Sequence, residues 1–404
     1  MRRNLIVRRG ASIAAVVAVA AVLYIAFRDR SVVFAVPRAE LPVYARVFAG
    51  VKGEGAPRVR LQAFDGDGQT ILSGRRPGLA VVSMASWLSK GLAAGVLVPL
   101  PPAGFPNPEA VSARLPGAFL KAVGSTAGGR TLNALPLAFD PWLAFWHRDF
   151  IGGAAATPPA DWPAVRASAA RWKQKGVAAL ALAGREPDAL TAWLAILCGA
   201  SGPGAAADAF GRYPGFGRET AASALELLAD LERDGIVQGS AFSFPWQDAV
   251  DQLLRKQAAG MFLPLVRYRA LNPAATAPLI IARVPQFPGT TGTAIVAEVR
   301  MLVMPARGAR GRGSEKVVAY LARPEVQRSL ADALGMVPAR LDAPVRDGAS
   351  FEGREAARAA AALVPMPTAW GDAPSTAALV QAAAAALRSP AEVGAAVNAL
   401  YGAR

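Results

Sequence analysis

Residues 135–151, LPLAFDPWLAFWHRDFI, join an apolar run to an aromatic one across the step Asp140-Pro141. The apolar part predicts a buried strand. A proline withholds a ladder donor, so a break is expected at Asp140-Pro141. The aromatic part, through Trp146-His147-Arg148-Asp149-Phe150, predicts a strand-to-helix passage, and Asp161 to Lys175 continues as an amphipathic helical run. This succession describes a chain crossing from one lobe to another.

Upstream, strands and helices alternate. SVVFAV (31–36) reads as a strand, Arg38 to Gly50 as a helix closed by glycine, RVRLQAF (58–64) as a second strand and LAVVSM (79–84) as a third, with a helix from about Ser86 to Ala94. Asp65 to Gly78 reads as a turn-rich piece. Alternation of this kind argues a parallel α/β lobe. Residues 161–275 read as mostly helical, with short strands at Val177 to Leu182 and near Gly260 to Leu265, and 219–237 carries a helical apolar stripe. LIIARVPQFPG (279–289) is a second apolar passage, EVRMLVMP (298–305) another strand, and EKVVAYLARPEVQRSLADALGMVPAR (315–340) a helix pair. LVPMP (363–367) and two alanine-rich helices (376–388 and 390–401) close the chain.

Several of these runs resemble the extracellular solute-binding proteins of ABC importers, the family that includes sugar-binding members. Trp146 to Phe150 is similar to the family's hinge passage, and Leu79 to Met84 with Trp87 and AAGVLVPL (93–100) resembles its third-strand signature. Residues 279–289 resemble the return crossing. The run 315–340, with Arg323-Pro324-Glu325 and Gln327 followed by Gly335 and Pro338-Ala339-Arg340, is the most family-specific piece. The resemblance covers about residues 31–404 and implies an α/β, two-lobed, periplasmic-binding-protein-like (type II) fold with hinge crossings. It implies one lobe from 31–138 plus 286–340 and another from 139–285 plus 341–404, preceded by a hydrophobic segment at 1–30.

That segment carries Arg2, Arg3, Arg8 and Arg9 before an uncharged apolar run at residues 11–27. Seventeen residues as a helix span about 26 Å, compatible with a membrane anchor or an export signal, and the flanking arginines place the amino terminus in the cytoplasm. The poor small-x-small cleavage pattern after the run favours an uncleaved anchor, and no cysteine ends it for lipid attachment. The bulk of the chain is therefore expected outside the cytoplasm, periplasmic and held to the inner membrane. Formal charge is +15, of which +5 falls in residues 1–30. The arginines are scattered without aromatic interleaving, which argues against a nucleic-acid partner. Cys198 is the single cysteine, which rules out an intramolecular disulfide, and it is expected to be a small buried apolar residue.

His147 is the only histidine, which argues against almost every acid-base, triad and metal scheme that needs imidazole, and no metal-ligand cluster, P-loop or nucleophile elbow is present. Asp230 and Asp234 are spaced as solvated helix surface, and the loop 307–316 (RGARGRGSEK) lacks P-loop spacing. A binding protein without cofactor or metal is expected. It would close two lobes around a small solute, possibly a carbohydrate, and deliver it to the permease subunits of an importer. The resemblance places Ser83, Ser86 and Trp87 after the third strand near the interlobe cleft. It places Asp140 and Trp142 at the crossing, and Trp193, Trp246, Arg267, Glu298, Arg300 and Trp370 around it. The alternative is a periplasmic interaction or sensor protein that keeps the fold without a transport role.

Overall fold

The computed structural model describes residues 31–401 except 51–56, 67, 74–76, 84–86, 106, 127, 153–156, 199–217, 290–294, 308–312, 344–362, 366–381 and 386–389. The apolar segment at 11–27, Ser86, Trp370 and most of the helix expected at 376–388 lie outside the described residues. Among the described residues, no helix is long and apolar enough to cross a membrane.

Among the described residues, eleven strands form the framework. They are β1 (Val32–Pro37), β2 (Val59–Phe64), β3 (Leu79–Ser83), β4 (Leu97–Val98), β5 (Leu135–His147), β6 (Ala178–Ala181), β7 (Ala258–Pro264), β8 (Leu279–Ala282), β9 (Ile295–Pro305), β10 (Val337–Pro338) and β11 (Leu363–Pro365). The strand order is β2-β1-β3-β9-β5-β7-β6, with β8 and β10 also on β5, and β4 and β11 also on β9. β1 pairs in parallel with β2 and β3, as the strand–helix alternation predicted. The apolar centres of β1 and β3 are covered on both faces: Phe34, Ala35, Val36 and Val81 have no exposed surface. Such two-sided burial is what a parallel sheet flanked by helices requires.

β5 decides the architecture. All thirteen of its residues are buried. Leu135 to Pro141 pairs antiparallel with β9, and Trp142 to Trp146 pairs antiparallel with β7. One strand therefore belongs to both halves of the molecule, and the expected break at Asp140-Pro141 does not occur. Pro141 falls where β5 passes from one partner to the next, so the missing donor interrupts neither ladder in its middle. The second crossing is expected at 279–289. β8 remains on the second half, paired with Ala144 to His147, and the chain is back in the first half at Ile295.

The fold differs from the sequence reading in two further places. Asp65 to Gly78 contains a short helix, Gln69–Ser73, where only turns were expected. β11 lies on the first-half sheet, paired with Ile295–Ala297, rather than with the second lobe to which all of 341–404 was expected to belong. The reason is an open flank: β3 pairs with β9 only at Arg300 to Val303, leaving the start of β9 an edge for another strand to satisfy. Helix Val393–Tyr401 instead packs on helix Arg218–Arg233 of the second half.

The family-like run at 315–340 forms two helices, Ser314–Leu321 and Pro324–Leu334. Gly335 ends the second with φ of 73°, a conformation glycine adopts without strain. Gln327 has no exposed surface, yet its Nε2 donates to the Pro136 carbonyl at 3.1 Å and its Oε1 accepts from the Arg340 amide at 3.0 Å. This buried amide ties the helix pair to the start of β5 with its polar atoms satisfied.

Candidate functional site

The junction of the two halves is built from the end of β3 and the middle parts of β5 and β9. In the ladders, Ser83 lies opposite Arg300, and Asp140 lies opposite Glu298. Directly opposed residues on neighbouring strands share a face, as do residues two apart on one strand. Ser83, Arg300, Glu298, Asp140 and Trp142 therefore form one continuous strip across the junction.

A buried ion network anchors the first-half end. The Arg300 guanidinium donates through Nε to Glu40 Oε1 at 2.6 Å, and through Nη1 to Glu298 Oε1 at 2.5 Å and Ser83 Oγ at 2.8 Å. Ser83 Oγ in turn donates to Glu298 Oε1 at 3.0 Å. Burial works against the charge on Arg300, but Glu298 and Glu40 outweigh it and hold the guanidinium charged. Burial likewise pushes the Glu298 carboxyl up, and Arg300 and Ser83 outweigh that effect and keep it below its ordinary range. With its side chain 34% exposed, Glu298 presents an ionised carboxylate at the junction.

Asp140 is the hinge's own titratable group. It is 4% exposed, and its Oδ1 accepts from the Val266 amide at 3.0 Å. Val266 lies in the short helix Leu265–Arg269 that follows β7. Burial pushes the Asp140 carboxyl up to about 7, with the Val266 bond and Arg300 pulling the other way and Glu298 adding to the rise. Two carboxyls thus face each other across β5 and β9, one firmly ionised and one balanced near neutrality.

The second-half end is aromatic. Trp246 opens helix Trp246–Leu254, and its ring lies 5.7 Å from that of Trp142 at 37°. The Arg267 guanidinium carbon sits 4.1 Å over the Trp246 ring. Asp188 is also here: desolvation raises its carboxyl, while the Ala189 amide and the neighbouring Arg267 charge work the other way.

The structure thus brings together seven of the expected residues: Ser83, Asp140, Trp142, Trp246, Arg267, Glu298 and Arg300. Trp193 stands apart in the core of the second half, 1% exposed with its ring 4.7 Å from that of Phe262. Its helix, Pro187–Cys198, is apolar over nearly its whole length, so burial claims the indole. Trp87 opens helix Trp87–Ala93. Glu40 and Asp188 were missed. Glu40 follows β1 in the chain and meets Arg300 only through the β1-β3-β9 order, which no local pattern discloses. Asp188 had a weak signal, as the first acidic residue of an otherwise apolar helix.

His147 and Cys198 take structural places. His147 is 1% exposed at the end of β5, where Nδ1 accepts from the Asp149 amide at 3.3 Å, and burial lowers its basicity. Cys198 is buried, and burial raises its thiol.

Residues 62–385 match the sequence profile of a family described as bacterial extracellular solute-binding proteins. No curated protein sequence matches the chain. Among solved structures, the bacterial solute receptor AcbH, described as having an exclusive preference for β-D-galactopyranose, superposes with a TM-score of 0.76 at 17% identity, over 92% of this chain and 96% of that one. The GacH receptor of Streptomyces glaucescens, solved with and without acarbose, superposes with a TM-score of 0.63 at 19% identity, over 92% and 97%. A probable secreted solute-binding lipoprotein of Streptomyces coelicolor gives 0.72 at 17% identity, over 92% and 98%.

Proposed function

The chain belongs to the bacterial extracellular solute-binding proteins, and from that membership we propose that it captures a carbohydrate at the junction of its lobes and delivers it to an ABC permease. The observation that carries this reading is the strip itself, an ionised carboxylate and a near-neutral carboxyl at one end and a pair of tryptophans at the other. Carboxyl groups accept hydrogen bonds from sugar hydroxyls, and indole faces cover the C–H faces of pyranose rings. The sugar receptors among the structural neighbours lend support at the level of fold. In this reading, lobe one comprises 31–138 and 286–340 with β11 added. Lobe two comprises 139–285 with the closing helix Val393–Tyr401. Residues 11–27 hold the protein to the outer face of the cytoplasmic membrane, and the permease subunits are the partner.

Binding to the folded state alone raises its stability as ligand exceeds Kd, by about 2.7 kcal/mol at a hundredfold excess. Thermal unfolding of the purified chain is therefore to be measured against mono- and oligosaccharides, polyols, polyamines, amino acids and organic anions. A saturable rise for one sugar class is the expected outcome. A rise confined to a non-sugar class would contradict the carbohydrate assignment. Trp142 and Trp193 are only 2% and 1% exposed, which favours a second reading, an interaction protein that keeps the fold without transporting. A flat response across the whole panel would point to it.

A further inference from the structure

We infer that Arg267 is a displaceable cover on Trp246, occupying the indole face that a sugar ring takes when the lobes engage solute. The inference rests on the carbohydrate reading of the junction. Trp246 is 8% exposed, and the guanidinium carbon lies 4.1 Å over its ring. A pyranose stacked on an indole needs an open face. Uncovering Trp193 would mean parting it from Phe262 in the core, and Trp142 is held within β5 with 2% of its surface exposed. Uncovering Trp246 requires only that one partly exposed, unbranched side chain rotate.

The surroundings give the guanidinium somewhere to go. Asp188 lies within electrostatic reach of Arg267, a carboxyl toward which a rotated guanidinium can turn. The cover is also tied to the crossing strand. Arg267 directly follows Val266, whose amide donates to Asp140 on β5. A change in how β5 meets β7 therefore moves the backbone that carries the cover. The contact that solute must displace is a cation–π interaction, which sets the size of the effect at about 2- to 30-fold in affinity.

The test titrates the wild-type chain, Arg267→Ala and Arg267→Gln with D-galactose and with maltotetraose by calorimetry. In parallel, acrylamide quenching of tryptophan fluorescence is compared for each variant with and without Trp246→Phe. The glutamine variant retains much of the side-chain length, so a folding failure of the alanine variant leaves the measurement intact. The expected result is tighter binding by the Arg267 variants, about 3- to 10-fold, with extra quenching that disappears in the Trp246→Phe background. Wild-type binding that the variants match or fail to reach would overturn the cover while leaving the carbohydrate reading in place. Absence of binding by every protein to these two sugars and to every other sugar of the thermal panel would overturn both together.

Discussion

Arg300 is largely buried between Glu40 and Glu298, whose own side chain is 34% exposed, so two negative charges and one positive are partly withdrawn from water. Removing a charge from water costs several kcal/mol unless partners replace the solvent, and three hydrogen bonds to side-chain oxygens do so here. What the network holds in place is Glu298, whose carboxylate is fixed by Ser83 and Arg300. Among the described residues no such cation is bonded to Asp140, and its carboxyl is harder to ionise in the fold than in the unfolded chain. The unfolded chain therefore releases this proton first as pH rises. The stability contributed by the Asp140 site is full below about pH 4, declines between about pH 4 and 7, and levels off above. Asp140→Asn is expected to flatten that part of the profile. Urea denaturation of both proteins at pH 5 and pH 8 checks it; an equal loss of stability in the two would show that Asp140 is not the titrating group.

At the scale of elements, β5 and β7 fit through one close approach. Gly260 lies opposite Trp146, and a Cβ on Gly260 would stand 2.5 Å from the indole ring. A shared strand cannot shift to relieve such a clash without disturbing the other half that it also pairs with. Gly260→Ala is expected to destabilise the protein by about 1–3 kcal/mol, read as a lowered urea midpoint. An unchanged midpoint would show that Trp146 has room to move. The legible elements were those whose local chemistry and burial agree. The apolar runs at 79–84 and 298–305 became β3 and most of β9, and Pro324 and Gly335 marked the start and end of a helix, while the buried tie made by Gln327 was not readable. Asp140-Pro141 misled because proline's local effect was weighed without the change of partner strand at that point. β11 could not be assigned from sequence, since its place depends on an edge left open by β3, more than 270 residues earlier in the chain.

At the scale of the molecule, two halves share β5, and β9 carries the chain's return into the first. Seven candidates converge because these strands bring residues 83, 140, 142, 246, 267, 298 and 300 to one junction. The residue types in that strip were readable, but their pairings were not, as Glu40 with Arg300 shows across 260 residues. In the proposed function the shared strand is the place of bending, and solute contacts from both sides would supply the differential affinity that favours a closed form. The most direct test is small-angle X-ray scattering of the purified chain, with and without a saturating concentration of the sugar that gives the largest thermal shift. The account predicts a smaller radius of gyration on sugar addition, with the compaction lost in Glu298→Ala. An unchanged radius at saturation, with sugar bound, would contradict capture by closure of the two lobes.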